Sequence, residues 1–187
     1  MFHRLAIPDL MLIVPKRHGD ARGYFSETFR ETDYAVAGIT GPFVQDNQAF
    51  SQKAGVLRGL HFQIPPKAQA KLVCCTQGAI FDVAVDIRPE SETFGKHVSA
   101  ELSAENGHQF YVPEGFAHGY LTLTDNCLVQ YKVSAYYSPE DERGLAWNDP
   151  ELGINWPLDS KSPTVSEKDS QLPHLSALRP LLEESAQ

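Results

Sequence analysis

The chain has 187 residues, 42% of them hydrophobic, and its 16 Lys and Arg against 24 Asp and Glu give a formal net charge of −8. This length and apolar content suit one domain, or one domain with a tail. The acidic balance excludes a general nucleic-acid binder and an anionic-membrane binder, because both need a basic surface. An anionic small ligand can still bind through local cations.

The first apolar run, LMLIV at residues 10–14, is too short for a membrane span or a secretory signal core, so we expect a cytoplasmic protein. The cysteines Cys74, Cys75 and Cys127 contain no C-x-x-C pair, and an odd count with two adjacent members is a poor disulfide framework. We expect all three to be reduced core residues. A nucleophilic cysteine is the weaker alternative, since only Lys71 is near in sequence to generate a thiolate.

Short apolar or alternating runs, separated by Gly, Pro, Asn and Asp turn signals, predict β-strands along most of the chain. They span 10–14, 42–50, 56–63, 71–77, 79–87, 96–102, 108–113, 119–124 and 127–137. This pattern predicts an all-β sandwich or barrel. In the run 79–87 one parity is wholly apolar and the other is mixed, so we expect one face of that strand to meet a polar cavity.

The composition changes beyond Pro139. The segment PEDERG at 139–144 suits one helical turn, residues 147–157 are rich in turn formers, and residues 172–187 carry a weak helical pattern. We expect Trp147 and Trp156 to fix this tail to the sandwich.

Two motifs place polar residues among strand formers. The stretch GHQFYVPEGFAH, from Gly107 to His118, has the spacing of the second conserved box of cupin jelly-roll enzymes. The first cupin box is present only in outline: His61 is in place, but Gln63 replaces the second histidine and Lys71 replaces the glutamate. An ammonium repels a divalent ion and has no lone pair, so no metal site is expected.

Two imidazoles and an ammonium in one pocket suit proton abstraction and the stabilisation of a developing negative charge. Either histidine alone would be better explained as a hydrogen-bonded core residue. The placement of His61, Lys71 and His118 at matched cupin positions favours a site.

The sequence resembles the dTDP-4-dehydrorhamnose 3,5-epimerases over roughly residues 5–170. The resemblance lies in the stretches GDARGYFSETF, FVQDN, GVLRGLHFQ, KLV, GAIFDVAVDIR, FGKHVSAELSAEN, VPEGFAHGY, YKVSAYYSPEDERG and WNDPELGINWP. It implies one all-β, cupin-type jelly-roll domain over 1–187, with short helical segments and a tail at 171–187. It further implies a cytoplasmic homodimer, without metal or redox cofactor, that inverts C3 and C5 of dTDP-4-dehydro-6-deoxy-D-glucose for dTDP-L-rhamnose biosynthesis.

The resemblance also assigns roles to residues. The base falls on His61, the carboxylate that orients it on Asp169, the acid on Tyr131 and the cation at the keto oxygen on Lys71. The aromatic residue that stacks on thymine falls on Tyr137. The other diphosphate and sugar contacts fall on Arg22, Glu27, Gln45, Asp46, Asn47, Arg58, His118, Glu142 and Lys168.

The chemistry fits these residue types. C3 and C5 both lie α to the C4 carbonyl, so each inversion needs a base on one face, an acid on the other and a donor for the enolate oxygen. From the residues alone, a core position is the better explanation for Tyr131, and a solvated carboxylate is the default for Asp169. Surface ion pairs explain Arg22 and Arg58 about as well as ligand contacts do. Strict alternation also puts Arg58 and His61 on opposite faces, unless Gly59 forms a bulge or Arg58 serves a site shared across a dimer.

Three positions depart from the family pattern. Gln48 and Ala49 stand where His and Ser are common, and Ala70 stands where Gly is common. These departures bear on substrate detail rather than reaction class. The alternatives are an epimerase for C3 only or C5 only, a ketoisomerase, a metal-dependent cupin oxygenase and a non-catalytic sugar-binding module.

Overall fold

The computed structural model describes residues 1–158 and 161–185. The strands are β1 (Phe2–Arg4), β2 (Met11–Ile13), β3 (Arg17–Asp20), β4 (Gly23–Ser26), β5 (Gln45–Ser51), β6 (Leu57–Gln63), β7 (Lys71–Gln77), β8 (Ala79–Asp86), β9 (His97–Ser103), β10 (Gln109–Val112), β11 (Phe116–Thr122), β12 (Cys127–Val133) and β13 (Glu142–Gly144). The helices are α1 (Glu31–Val36), α2 (Glu167–Ser170) and α3 (Leu175–Ser185). No helix within the described ranges is long and apolar enough to cross a membrane.

Two antiparallel sheets pack face to face. One has the strand order β1-β2-β10-β7-β12-β5 and the other β13-β6-β11-β8-β9, while β3 and β4 form a separate hairpin. The core between the sheets includes Val73 and Phe110 from the first sheet, and Ile80 and Leu102 from the second. This confirms the predicted all-β sandwich.

Both faces of strand β8 are buried, each against a different part of the chain. Its mixed face points between the sheets, where Ile80 and Ala84 join the core and Asp82 reaches His118. Its apolar face points outward and, with Val83 and Val85, packs against the C-terminal segment that includes Leu175, Leu178 and Leu182. The mixed face is inside the sandwich, but none of the described residues of β8 lines the active-site cavity; the polar residue Asp82 contacts His118 instead.

The C-terminal segment is fixed to the five-stranded sheet through tryptophan, as expected. The indole Nε1 of Trp156 donates to the Trp147 carbonyl at 2.8 Å, and the ring of Trp156 contacts Phe81 with centroids 5.9 Å apart. The weak helical pattern is helix α3.

Some predictions were wrong. Residues 142–144 form strand β13 rather than a helical turn, because they pair with β6. The strand predicted to reach residue 137 ends at Val133. Strands β1, β3 and β4 were missed, since their side chains are nearly all exposed and leave no burial pattern. Of the three free cysteines, Cys75 and Cys127 are core residues, but Cys74 is half-buried on the outer face of its sheet.

Candidate active site

A bulge in β6 brings two site residues to one face. His61 pairs with His118 and Arg58 with Tyr120, so three steps along β6 match two steps along β11. Gly59 has φ +111, and a Cβ at this position would lie 2.8 Å from the Gly119 Cα. Because the extra residue reverses the alternation, Arg58 and His61 line the same cavity within one chain.

Two adjoining cavities share His61, Lys71 and Tyr131. The larger, of about 510 Å³, is also lined by Ala49, Val56, Leu57, Arg58, His118, Gly119, Tyr120, Thr164, Val165, Ser166, Lys168 and Asp169. The smaller, of about 270 Å³, is also lined by Gln45, Asn47, Phe62, Gln63, Gln69, Tyr137 and Glu142. The three residues assigned to proton transfer and charge stabilisation therefore stand where the two cavities meet.

His61 is held by a carboxylate. Its Nε2 lies 2.7 Å from Asp169 Oδ1, and the side chain of Asp169 is only 5% exposed. Asp169 Oδ2 also accepts from the Gly59 amide at 3.1 Å. Burial raises the pKa of Asp169, but the hydrogen bonds from His61 and Gly59 outweigh it and hold that pKa below its usual value. An ionised carboxylate only accepts hydrogen bonds, so it keeps the proton on Nε2 and leaves Nδ1 of His61 as the basic nitrogen.

The position of Asp169 depends on helix α2. Ser166 caps this helix, and its Oγ accepts from the Asp169 amide at 3.0 Å. A parallel bridge between Val56 and Thr164 ties the preceding segment to the start of β6. These contacts bring a polar stretch of the C-terminal region to the histidine 108 residues earlier in the chain.

Lys71 enters the cavity from the opposite sheet. It is 7% exposed, and its Nζ donates to the His61 carbonyl at 3.1 Å. Burial lowers the pKa of Lys71 to about 8, and the charges of Asp82 and Glu142 oppose that shift. An ammonium with few protein partners is free to bind a developing oxyanion.

Tyr131 combines the two roles that the sequence left open. Its ring packs against the core between the sheets, and the residue also lines both cavities. Burial raises the pKa of Tyr131, although Arg58 opposes this effect. The hydroxyl is therefore protonated near neutral pH and can act as a proton donor.

A hydrogen-bonded group lies beside the smaller cavity. Glu142 Oε2 accepts from Tyr137 Oη at 2.8 Å and from Lys168 Nζ at 2.5 Å. Gln45 accepts from the Tyr137 amide at 3.1 Å and donates to Asn47 at 2.8 Å. The ring of Tyr137 stays largely exposed, which leaves its face open for stacking.

Three predicted contact residues lie away from these cavities within one chain. The side chain of Arg22 is 90% exposed and pairs with Asp20, between strands β3 and β4. Glu27 pairs with Arg30. Asp46 pairs with Lys132 on the outer face of the six-stranded sheet, because its parity on β5 is opposite to that of Gln45 and Asn47.

Sequence reasoning missed the partner of His118. Its Nε2 lies 2.8 Å from Oδ1 of the fully buried Asp82. The only signal was a charged residue in the strand AIFDVAVDI, and its contact depends on the pairing of β8 with β11.

The donor set does not fit a cupin metal centre. Within residues 1–158 and 161–185, no group of three or more His, Cys, Asp and Glu is placed to hold a metal ion. Nε2 of His61 and Nε2 of His118 each bind a carboxylate, and an ammonium stands in place of the glutamate.

Two antiparallel sheets around a cavity with a histidine–carboxylate pair, a lysine and a tyrosine define an acid–base enzyme on a jelly-roll scaffold. Comparison with known proteins narrows this class. Residues 4–177 match the family model described as dTDP-4-dehydrorhamnose 3,5-epimerase. The chain belongs to this family of isomerases, whose solved structures have the cupin-type jelly roll, so the predicted family and fold are confirmed.

Individual relatives cover nearly the whole chain. The dTDP-4-dehydrorhamnose 3,5-epimerase of Sinorhizobium fredii is 54% identical over 95% of this chain and 90% of its own length. The dTDP-6-deoxy-D-glucose-3,5-epimerase of Legionella pneumophila, in complex with dTDP-4-keto-L-rhamnose, is 45% identical with a TM-score of 0.92, over 97% and 96% of the two chains. A 3′-monoepimerase from Streptomyces bikiniensis, in complex with dTDP-quinovose, is 37% identical with a TM-score of 0.89, over 96% and 90%.

Proposed function

We propose that this protein inverts C3 and C5 of dTDP-4-dehydro-6-deoxy-D-glucose to give dTDP-4-dehydro-L-rhamnose. The observation that carries the proposal is that His61, bound to Asp169, lines the same two cavities as Lys71 and Tyr131. The family membership supports the same reaction. The proposal uses no metal and no redox cofactor.

Each inversion is a proton transfer through an enolate. Nδ1 of His61 takes the proton from the carbon α to the C4 ketone, and the electron pair moves to the C4 oxygen, where the Lys71 ammonium stabilises it. The Tyr131 hydroxyl then gives a proton to the opposite face of the same carbon, and the ketone forms again. The base ends protonated and the tyrosine ionised, and exchange with solvent restores both before the second inversion.

The nucleotide part of the substrate is proposed to lie along the polar walls. Tyr137 stacks on the base, with its exposed ring as support for this role. Gln45, Asn47, Arg58, His118, Glu142 and Lys168, which line the two cavities, are the proposed diphosphate and sugar contacts.

Arg22, Glu27 and Asp46 are proposed to act in a homodimer. Phe25, on the β3–β4 hairpin, is 71% exposed, and the neighbouring Tyr24 is exposed as well. Exposed aromatic side chains on a projecting hairpin are typical of a surface covered by a partner. In this arrangement the hairpin of one protomer carries Arg22 toward the cavity of the other, where Glu27 and Asp46 also contribute.

We further propose a single domain over 1–187 and a cytoplasmic location. The free thiols of Cys74, Cys75 and Cys127 support a reducing compartment.

Proton NMR of dTDP-4-dehydro-6-deoxy-D-glucose with the enzyme in D₂O tests the reaction. The expected result is deuterium at both C3 and C5, with conversion to the L-rhamno product. Deuterium and inversion at C3 alone would make the protein a monoepimerase, like the relative from Streptomyces bikiniensis. Ala49 lies on the wall of the larger cavity, at a position where the family commonly has serine. This departure from the family pattern bears on whether one carbon or both are inverted.

Substitution of Lys71 by Met is expected to lower kcat by about 10² to 10³-fold, the usual cost of losing one oxyanion donor. Methionine keeps most of the stem but removes the charge. In the wild type, kcat should fall as the pH rises through about 8, because the ammonium loses its proton there. This alkaline limb should be absent in the variant.

Lys67→Met, at an exposed lysine that does not line the cavity, is the control and should retain wild-type kinetics. A loss in Lys71→Met that appears only in KM would make Lys71 a phosphate contact instead.

A further inference from the structure

The segment that joins strands β12 and β13 carries Tyr137 but has no strand partner within the part of the chain that the structure describes. Strand β12 ends at Val133, so the backbone of residues 135–138 lies outside the sheet ladders. Backbone N–H and C=O groups that are taken from water need hydrogen-bond partners. The groups that supply these partners decide where the ring of Tyr137 stands.

Gln63 binds the residues on either side of Tyr137. Its Oε1 accepts from the Ser138 amide at 2.9 Å, and its Nε2 donates to the Tyr136 carbonyl at 3.3 Å and to the Lys67 carbonyl. The residue is only 6% exposed, and both hydrogens on Nε2 are used within the chain. The position of the second histidine in the cupin metal box is therefore occupied here by a side chain that binds backbone.

Two more glutamines bind the same segment. Gln45, on β5, accepts from the Tyr137 amide through Oε1 at 3.1 Å. Gln69, just before β7, donates from Nε2 to the Ala135 carbonyl at 2.7 Å. Together with Gln63, these side chains line the smaller cavity. Four consecutive residues are thus each bonded to a glutamine from another part of the chain.

We propose that Gln63 and Gln69, together with Gln45, are positioning residues that set the ring of Tyr137 to receive the flat base of the nucleotide. This role rests on the proposed function, in which Tyr137 stacks on that base. Glu142 accepts from the Tyr137 hydroxyl at 2.8 Å and the glutamines bind the backbone, while the ring face stays open. A segment outside the sheets loses conformational freedom when it orders around a ligand, and side chains that order it beforehand remove this cost.

Gln63→Met tests this role, because methionine has a similar length and volume but no amide to make the three hydrogen bonds. Calorimetric titration with dTDP should give a dissociation constant about 5- to 30-fold above that of the wild type, the equivalent of ordering about one residue of backbone on binding. KM should rise in parallel. The value of kcat should stay within about twofold, because only uniform binding is lost. A loss of kcat at constant KM would place Gln63 at the reaction centre and overturn the proposal.

Hydrogen exchange of the Ser138 amide gives a readout that does not depend on the reaction. This amide donates to Gln63 in the wild type. In Gln63→Met its exchange should be about 2- to 10-fold faster, the equivalent of one net hydrogen bond. Exchange at the wild-type rate would show that Gln63 does not order the segment, and the proposal would be wrong.

A double-mutant cycle with Tyr137→Ala separates positioning from direct contact. If Gln63 acts through the tyrosine ring, Gln63→Met should change the dTDP dissociation constant by less than about twofold in the Tyr137→Ala background. A full effect in that background would make Gln63 a ligand contact. An unchanged dissociation constant in Tyr137→Ala alone would show that the ring does not bind the base. Either result overturns the proposal.

Gln77→Met is the matched control. Gln77 is an exposed glutamine at the end of β7 opposite Lys71, and it lines neither of the two cavities. Its dTDP affinity and its Ser138 amide exchange should equal those of the wild type.

Gln69→Met keeps the test decisive if Gln63→Met does not fold. It removes a single hydrogen bond, the one to the Ala135 carbonyl. The dTDP dissociation constant should therefore rise by about 2- to 10-fold, the equivalent of one net hydrogen bond. A constant equal to that of the wild type would contradict the proposal.

Failure of the proposed function can be told apart from failure of the glutamine assignment. A wild-type protein that binds dTDP without epimerising the sugar removes the reaction, and the dTDP titration and the amide exchange still decide the role of Gln63. Epimerisation with an unmoved dTDP dissociation constant in Gln63→Met removes only the positioning role.

Discussion

Substitution of His61 by Asn is expected to lower kcat by about 10² to 10⁴-fold, the range for loss of a general base, with nucleotide affinity within a few-fold of the wild type. Asparagine is too short to reach the position of Nε2, but the Gly59 amide still donates to Asp169, so the buried carboxylate keeps a partner and the fold should survive. Steady-state kinetics and dTDP titration measure the two effects.

His3→Asn is the matched control, because His3 lies on the exposed strand β1, away from the cavity. Its kinetics should equal the wild type. Turnover of His61→Asn within tenfold of the wild type would assign the base to another group. Asp169→Asn should give a smaller loss than His61→Asn, since the imidazole remains but its favoured tautomer is no longer fixed.

The strands of the two sheets were largely predictable because burial imposes a period of two. In β8 the parity of Phe81 and Val83 against Ile80 and Asp82 predicted both the strand and its polar side. The strands that were missed have no such alternation of buried and exposed residues. β3 and β4 are exposed except for the partly buried Ser26. β13 is only three residues long and is defined by its pairing with β6.

The sequence predicted many of the side chains that line the two cavities, but not how the fold brings them together. The bulge at Gly59 follows from the close approach to Gly119, and a single strand sequence does not show its partner. The contact between His61 and Asp169 depends on helix α2 returning to β6, far along the chain. The sequence showed Asp82 only as a charged residue in an apolar strand. Its contact with His118 follows from the register between β8 and β11.

Tyr131→Phe separates inversion from simple enolisation. The substitution removes only the hydroxyl, and the ring that packs between the sheets remains, so the fold should tolerate it. Inversion requires the proton to leave one face of the carbon and return to the other. A single base cannot do this unless the substrate turns or leaves. We therefore expect inversion to fall by about 10² to 10⁴-fold, the range for loss of a general acid.

Tyr34→Phe is the control for loss of a buried tyrosine hydroxyl. Tyr34 lies on the outer face of the six-stranded sheet, and its hydroxyl donates to the Thr28 carbonyl or to Gln109. Its loss should cost about 1 kcal/mol of unfolding free energy without an effect on inversion.

The same Tyr131→Phe variant should still exchange protons. His61 and its partner Asp169 are unchanged, so the base can abstract a proton and return it to the same face. In D₂O this appears as deuterium that enters C3 or C5 while inversion is strongly reduced. Inversion of both carbons at near the wild-type rate would mean that another group or a water is the acid, and Tyr131 would then be a packing residue. If exchange and inversion are lost together, Tyr131 is needed for binding or for abstraction, and the assignment of base and acid to opposite faces is wrong.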